Sequence, residues 1–185
     1  VTSTDHALVP ELLHMDDMID LVIPRGRQQL QNLVKEHARM PVIYGGIGVC
    51  HLFVDSSADL SRSIPLIVNA KTQAPSVCNA LDTVLVHQDV VREFVPAMVR
   101  ALHAQGVKVL CDAASLAAAR QAGIDSDLLA PAGEEDFGHE FLSLALSVKV
   151  VDSLDEAIAH IARYGTNHSD GILTESYTNA ARFTD

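Results

Sequence analysis

Short runs rich in β-branched residues alternate with longer amphipathic stretches almost from one end of this 185-residue chain to the other. That alternation leaves few folds open. Parallel strands cannot be joined by a tight turn, so each needs a crossover of a dozen or more residues, which the helix-length stretches supply. The expected architecture is an α/β fold, a mainly parallel sheet flanked by helices. Strands are predicted over 20–23, 41–44, 49–54, 81–87, 107–111 and 141–151, with a last short one at Ile172 and Leu173. Helices are predicted over 5–15, 25–37, 59–72, 90–103, 113–122 and 154–164, and again from Ser176. Ser153 with Glu156 three residues on has the form of a capping box. Pro75 ends the 59–72 helix just ahead of Cys78. The glycine-rich loop Gly45-Gly46-Ile47-Gly48 marks a boundary between two structural units, 1–44 and 45–185.

Composition narrows the function classes. The chain is 48% hydrophobic and 20% charged, enough apolar surface for a core, yet no stretch is long and apolar enough to span a bilayer. Its 13 Lys and Arg against 24 Asp and Glu give a net charge of −11 without any basic run, so neither nucleic acid nor an anionic membrane is an expected partner. A small-molecule substrate is. Cys50, Cys78 and Cys111 form no CxxC pair, and the nine histidines include no HExxH, so no disulfide framework and no metal site are expected. The first residues lack the basic and apolar regions of a secretory signal. The expected location is the cytoplasm, and a start at Val1 rather than Met is expected of a piece cut from a longer chain.

Cys78 is the first candidate for chemistry. Pro75-Ser76-Val77-Cys78-Asn79 sets a thiol in a turn after a helix, where backbone N–H groups can face it and favour the thiolate; the other reading is a small buried hydrophobe. Cys50 and Cys111 lie in strand-like runs and read as core, and His51 points to the strand face opposite Cys50, so the two share no proton or metal. The 45–48 loop can cradle phosphate, although it has no P-loop lysine. Pro24-Arg25-Gly26 joins a strand to a helix N-terminus, where free N–H groups and Arg25 favour an anion such as a dinucleotide pyrophosphate. Glu134-Glu135-Asp136-Phe137-Gly138 is either a solvated acidic loop or a source of a carboxylate for ribose hydroxyls.

Several short motifs occur in a telling order: Ile23-Pro24-Arg25-Gly26, Gly48-Val49-Cys50-His51, Asn69-Ala70-Lys71, and Pro75-Ser76-Val77-Cys78-Asn79-Ala80. They continue with Leu85-Val86-His87, Glu135-Asp136-Phe137-Gly138, Leu146-Ser147-Val148-Lys149-Val150-Val151-Asp152, and Tyr164-Gly165 followed by His168-Ser169. Along essentially the whole chain this order resembles the gamma-glutamyl phosphate reductase (glutamate-5-semialdehyde dehydrogenase) family of the aldehyde dehydrogenase superfamily. The resemblance implies an aldehyde dehydrogenase-like catalytic domain truncated at both ends. Residues 1–44 would be the C-terminal part of a nucleotide-binding domain and 45–185 an incomplete catalytic domain, with the active site between the two. It implies NADPH-dependent reduction of L-glutamate 5-phosphate to L-glutamate 5-semialdehyde in proline biosynthesis, with Cys78 as nucleophile and the N–H of Cys78 or Asn79 as an oxyanion donor. By the superfamily's ExF pattern, Glu135 would hold the nicotinamide ribose and Phe137 would lie by the nicotinamide; Pro24, Arg25 and Gly26 would form part of the dinucleotide wall. A homo-oligomer and an association with glutamate 5-kinase are further implications. Arg27, Gly45, Ala74 and Asp82 depart from the family pattern, which has Gly, a nearby His, Arg and Glu there. Two other readings stay open: another acylating aldehyde dehydrogenase, or a catalytically silent, self-associating fragment.

Overall fold

A computed structural model describes residues 3–26 and 28–185 and divides the chain into two units, Val1–Ile47 and Gly48–Asp185. In the first, helices α1 (Val9–Leu12) and α2 (Gln28–His37) bury Leu13 and Val34, with Met40 also buried. The two strands predicted here reduce to one parallel bridge between Val22 and Val42, in which Val22 donates to the Pro41 carbonyl at 3.0 Å and Ile43 to that of Val22 at 2.9 Å. Each run is only a few residues long and is bounded by Pro24 or Pro41, which carry no N–H to extend a ladder. Arg27 lies outside the described residues.

The second unit holds six strands: β1 (His51–Val54), β2 (Thr83–His87), β3 (Lys108–Cys111), β4 (Leu129–Pro131), β5 (Ala145–Val151) and β6 (Asp170–Leu173). They form one parallel sheet in the order β4-β3-β5-β2-β1-β6. Five helices connect or follow them: α3 (Leu60–Thr72), α4 (Val91–His103), α5 (Ala113–Gln121), α6 (Leu154–Tyr164) and α7 (Tyr177–Thr184). Because successive side chains of a strand point to opposite faces, two cores result. Val54, Val84, Val86, Val109, Leu146 and Val148 pack with Ile67 of α3 and Phe94, Met98 and Leu102 of α4. Phe53, Leu85 and Val151 pack on the other side with Ala157 and Ile161 of α6 and Phe183 of α7. Each fully buried side chain of this size contributes about 1.5–3 kcal/mol.

The apolar run predicted as one strand over 141–151 pairs only from Ala145. Leu142 has a φ of 49° and the Phe141 N–H donates to Asp82, so the backbone cannot run extended there. Strand β4, absent from the sequence reading, is three residues long and ends in Pro131; it lies at the sheet edge, where a missing donor is tolerated. The 134–138 stretch is a 3-10 helix rather than a loop. Half of the expected capping box forms: Ser153 Oγ accepts the Glu156 N–H at 3.2 Å, while the Glu156 carboxylate takes the N–H of Asp152 at 2.6 Å. No helix among the described residues is long and apolar enough to cross a membrane.

Asp112 shows how helix capping is joined to the sheet. Its Oδ1 accepts the Ser115 N–H at 2.8 Å, capping α5, and its Oδ2 accepts the Val150 N–H at 3.0 Å. Loss of a cap and of a cross-strand tie together predicts that Asp112→Ala lowers the unfolding free energy by about 2 kcal/mol, read as a shifted urea midpoint at unchanged slope.

Candidate active site

Register gathers the site. His51 lies opposite both Thr83 and Asp170, and Thr83 opposite Ser147, so β1, β2 and β6 begin on one line and β5 two residues ahead of it. The segments that precede these strands therefore converge: 48–50, the turn at 73–82, 139–144 and 166–169. Ligands of open α/β sheets commonly gather at the carboxyl ends of the strands; here the candidate chemistry collects at the amino ends.

Cys78 sits exposed on the turn between α3 and β2. Three backbone bonds build that turn: Val77 donates to the Ala74 carbonyl at 3.2 Å, Ala80 to that of Val77 at 3.0 Å, and Leu81 to that of Ala70 at 3.1 Å. The N–H groups of Cys78 and Asn79 have no protein acceptor among the described residues, so both are available to an incoming oxyanion. Beneath the turn, Cys50 Sγ donates to the Cys78 carbonyl at 3.2 Å. A Cβ on Gly48 would fall 1.9 Å from that same oxygen. Gly48 is thus required for close backbone approach. Its N–H is held by Glu140 Oε1 at 3.0 Å and that of Val49 by Thr166 Oγ1 at 3.0 Å, so neither is offered to a phosphate.

The three thiols differ. Burial, reinforced by Asp82 and Asp170, pushes the Cys50 thiol up to about 11. Burial also pushes Cys111 up to about 11. Both stay protonated and covered at neutral pH, and His51 lies apart from Cys50 with its own partner, Asp170 Oδ1, at 3.2 Å from Nδ1. His168 Nδ1 stands 3.9 Å from Cys50 Sγ and 2.9 Å from Ser169 Oγ.

Sequence reasoning passed over Lys71, Asp82 and Gly48 as parts of this site. Lys71 Nζ lies 3.6 Å from Asp82 Oδ1 in full burial, although the sequence places Lys71 on the apolar stripe of Ile64, Ile67 and Val68. A cation inside such a stripe is the signal that could have found it.

The α6 side carries a second polar group. His160 packs edge-on to His51 at 5.5 Å and to Phe137 at 5.5 Å, and with Lys149, Arg163, Tyr164 and Glu134 it lines a cavity of about 330 Å³. Burial, aided by the charges of His51 and Lys149, presses the His160 imidazole down to about 3.

Residues fitting a nicotinamide nucleotide can be tested individually. Glu135 is exposed and has no hydrogen-bond partner among the described residues, which suits a ribose diol. Phe137 is 6% exposed, its ring turned against His160 and Tyr164. In the first unit Pro24 is buried, while Arg25 and Gly26 are exposed ahead of α2.

Fold comparison defines the class first: the lactaldehyde dehydrogenase of Escherichia coli superposes with a TM-score of 0.68 at 19% identity, over 95% of this chain and 45% of that one. The fold is therefore that of the aldehyde dehydrogenases. More particularly, the gamma-glutamyl phosphate reductase of Roseiflexus castenholzii is 49% identical over 183 residues, 99% of this chain and 43% of the relative. The crystal structure of gamma-glutamyl phosphate reductase from Thermotoga maritima matches with a TM-score of 0.85 at 43% identity, over 100% of this chain and 43% of that one. The resemblance read from the sequence thus holds along the whole chain, which spans less than half the length of these relatives. No protein-family model matches the chain.

Two predictions follow from the geometry. Limiting iodoacetamide at neutral pH alkylates Cys78 well ahead of Cys50 and Cys111 by peptide mapping, because only Cys78 is exposed; equal rates would contradict the structure. His160 titrates near 6.5 when unfolded and about 3 when folded, so the unfolded chain takes up the extra proton as pH falls and stability is lost across that window. His160→Phe removes that loss, and its unfolding free energy declines less steeply than wild type between about pH 6.5 and 4. Parallel declines would count against the buried neutral imidazole.

Proposed function

We propose that this chain carries the acyl-transfer centre of a gamma-glutamyl phosphate reductase, which reduces L-glutamate 5-phosphate to L-glutamate 5-semialdehyde and phosphate with NADPH. The observation that carries this reading is the Cys78 turn: one exposed thiol flanked by two N–H groups with no protein acceptor among the described residues, in a chain 49% identical to such a reductase. The Cys78 thiolate attacks the acyl carbon, the bond to the phosphate oxygen breaks, and phosphate leaves with its electron pair, giving a thioester. The N–H groups of Cys78 and Asn79 donate to the carbonyl oxygen as it gains charge. Phosphate is already a good leaving group, so no side chain has to protonate it as it departs. NADPH, when bound, supplies the hydride that reduces the thioester carbon. Collapse of the thiohemiacetal breaks the C–S bond, releases the aldehyde and restores the Cys78 thiolate.

Glu135 would hold the nicotinamide ribose, and Phe137 would lie by the nicotinamide. Pro24, Arg25 and Gly26 would line the pyrophosphate, with residues 1–44 as the end of the nucleotide-binding domain and 45–185 as part of the catalytic one. A cytoplasmic homo-oligomer that associates with glutamate 5-kinase belongs to the same reading.

The test uses acetyl phosphate as a simple acyl phosphate. The wild-type chain gains one hydroxylamine-labile acetyl group that maps to Cys78, and Cys78→Ser gains none. An adduct that persists in Cys78→Ser overturns the assignment, and acylation by acetyl-CoA but not acetyl phosphate redirects it to another acylating aldehyde dehydrogenase.

A further inference from the structure

Lys71 and Asp82 face each other across the base of the Cys78 turn, their side chains 0% and 2% exposed. Lys71 lies in the last turn of α3, and Asp82 immediately precedes β2, so together they bracket the residues that carry Cys78. Stability alone does not account for a charged pair here. Lys71 Nζ makes no hydrogen bond among the described residues, and a buried ion pair of imperfect geometry returns little against the desolvation of both ions.

The directed contacts of Asp82 point elsewhere. Its Oδ1 accepts the Phe141 N–H at 3.1 Å and its Oδ2 faces the Cys50 N–H at 3.4 Å. Its backbone N–H donates to the Cys50 carbonyl at 3.0 Å, and its carbonyl accepts from Ser147 at 2.8 Å. One residue thereby ties the end of the turn to the approaches of β1 and β5. Lys71 holds the other end: its Nζ lies 5.8 Å from the centroid of the Phe141 ring, and the neighbouring Ala70 carbonyl receives the Leu81 N–H. Phe141 thus meets both members of the pair.

We propose that Lys71 and Asp82 are a positioning pair, which fixes the two ends of the turn and so sets where the Cys78 thiol and the adjacent N–H groups stand above Cys50 and Gly48. The consequence for acyl transfer rests on the function proposed above. The geometry is tested without it, because Cys50 lies under the Cys78 peptide while Cys111 is buried in the core between the sheet and α4 and α5. Loosening of the turn alone uncovers Cys50; general unfolding uncovers both.

The experiment maps iodoacetamide labelling in Lys71→Met, Asp82→Asn and the conservative Asp82→Glu. Lys71→Met and Asp82→Asn are expected to raise the Cys50 rate about tenfold, the effect of losing a hydrogen bond's worth of local stability, with Cys111 unchanged. Asp82→Glu, which keeps the carboxylate, restores protection of Cys50. Acylation of Cys78 by acetyl phosphate follows the same order, falling in the first two variants and recovering in the third. A joint rise of Cys50 and Cys111, or a Cys50 that stays protected in both variants, overturns the proposal. Should Lys71→Met fail to fold, Lys71→Gln decides, because removing the Asp82 carboxylate by itself also eases ionisation of Cys50. A turn that loosens as described in a chain whose Cys78 is never acylated supports the positioning role and defeats the functional reading instead.

Discussion

Evenly spaced hydrogen bonds lock parallel strands in register, and in this sheet the register sets Asp170, His51, Thr83 and Ser147 on a single row, the first residues of β6, β1 and β2 and the third of β5. A slip of one residue would turn every inward side chain to the other face. Leu52 and Val54 would leave the core shared with α3 and α4, and Cys50 would swing away from the Cys78 carbonyl. The polar row itself is bonded across strands, Thr83 Oγ1 to Ser147 Oγ at 2.8 Å and His51 to Asp170. The segments around Cys78 meet because the strands they precede begin within two residues of this row.

The two ends of the sheet use polar groups in different ways. At the carboxyl end, Asp55 is saturated: Thr174 donates to it at 2.7 Å, Ser57 at 2.8 Å and Asn179 at 2.9 Å. Burial by itself would raise this carboxyl, yet the hydrogen bonds outweigh it and hold Asp55 below the usual carboxylate range. At the amino end, His51 Nε2, Lys71 Nζ and His160 Nε2 are buried without hydrogen-bond partners among the described residues, as is His103 Nε2 at the end of α4, and the N–H groups of Cys78 and Asn79 have no protein acceptor there. Unmet hydrogen-bonding capacity is costly in a folded chain, so its concentration at one end marks where the molecule trades stability for chemistry.

Three cysteines in one unit also need separate fates. Desolvation keeps Cys50 and Cys111 protonated, and exposure leaves Cys78 as the thiol open to solvent. Cys50 is not idle, since its Sγ–H supports the peptide that carries Cys78. The cation of Lys71 and the carboxylate of Asp82 close the same turn from below, each disfavoured in its charged form by burial and each favoured by the other.

The sequence by itself determined the alternation of strands and helices, the cap at Ser153, and the turn that presents Cys78, because these follow from residue periodicity and local backbone chemistry. It also carried the family likeness, through motifs scattered along the chain. It did not determine the short edge strand β4, the late start of β5 or the collapse of two predicted strands to one bridge, since those depend on neighbours supplied from elsewhere in the chain. Nor did it show that Gly48, Cys50, Lys71 and Asp82 surround Cys78. Those contacts join residues up to 32 positions apart, and only the parallel register of the folded sheet brings them to one place.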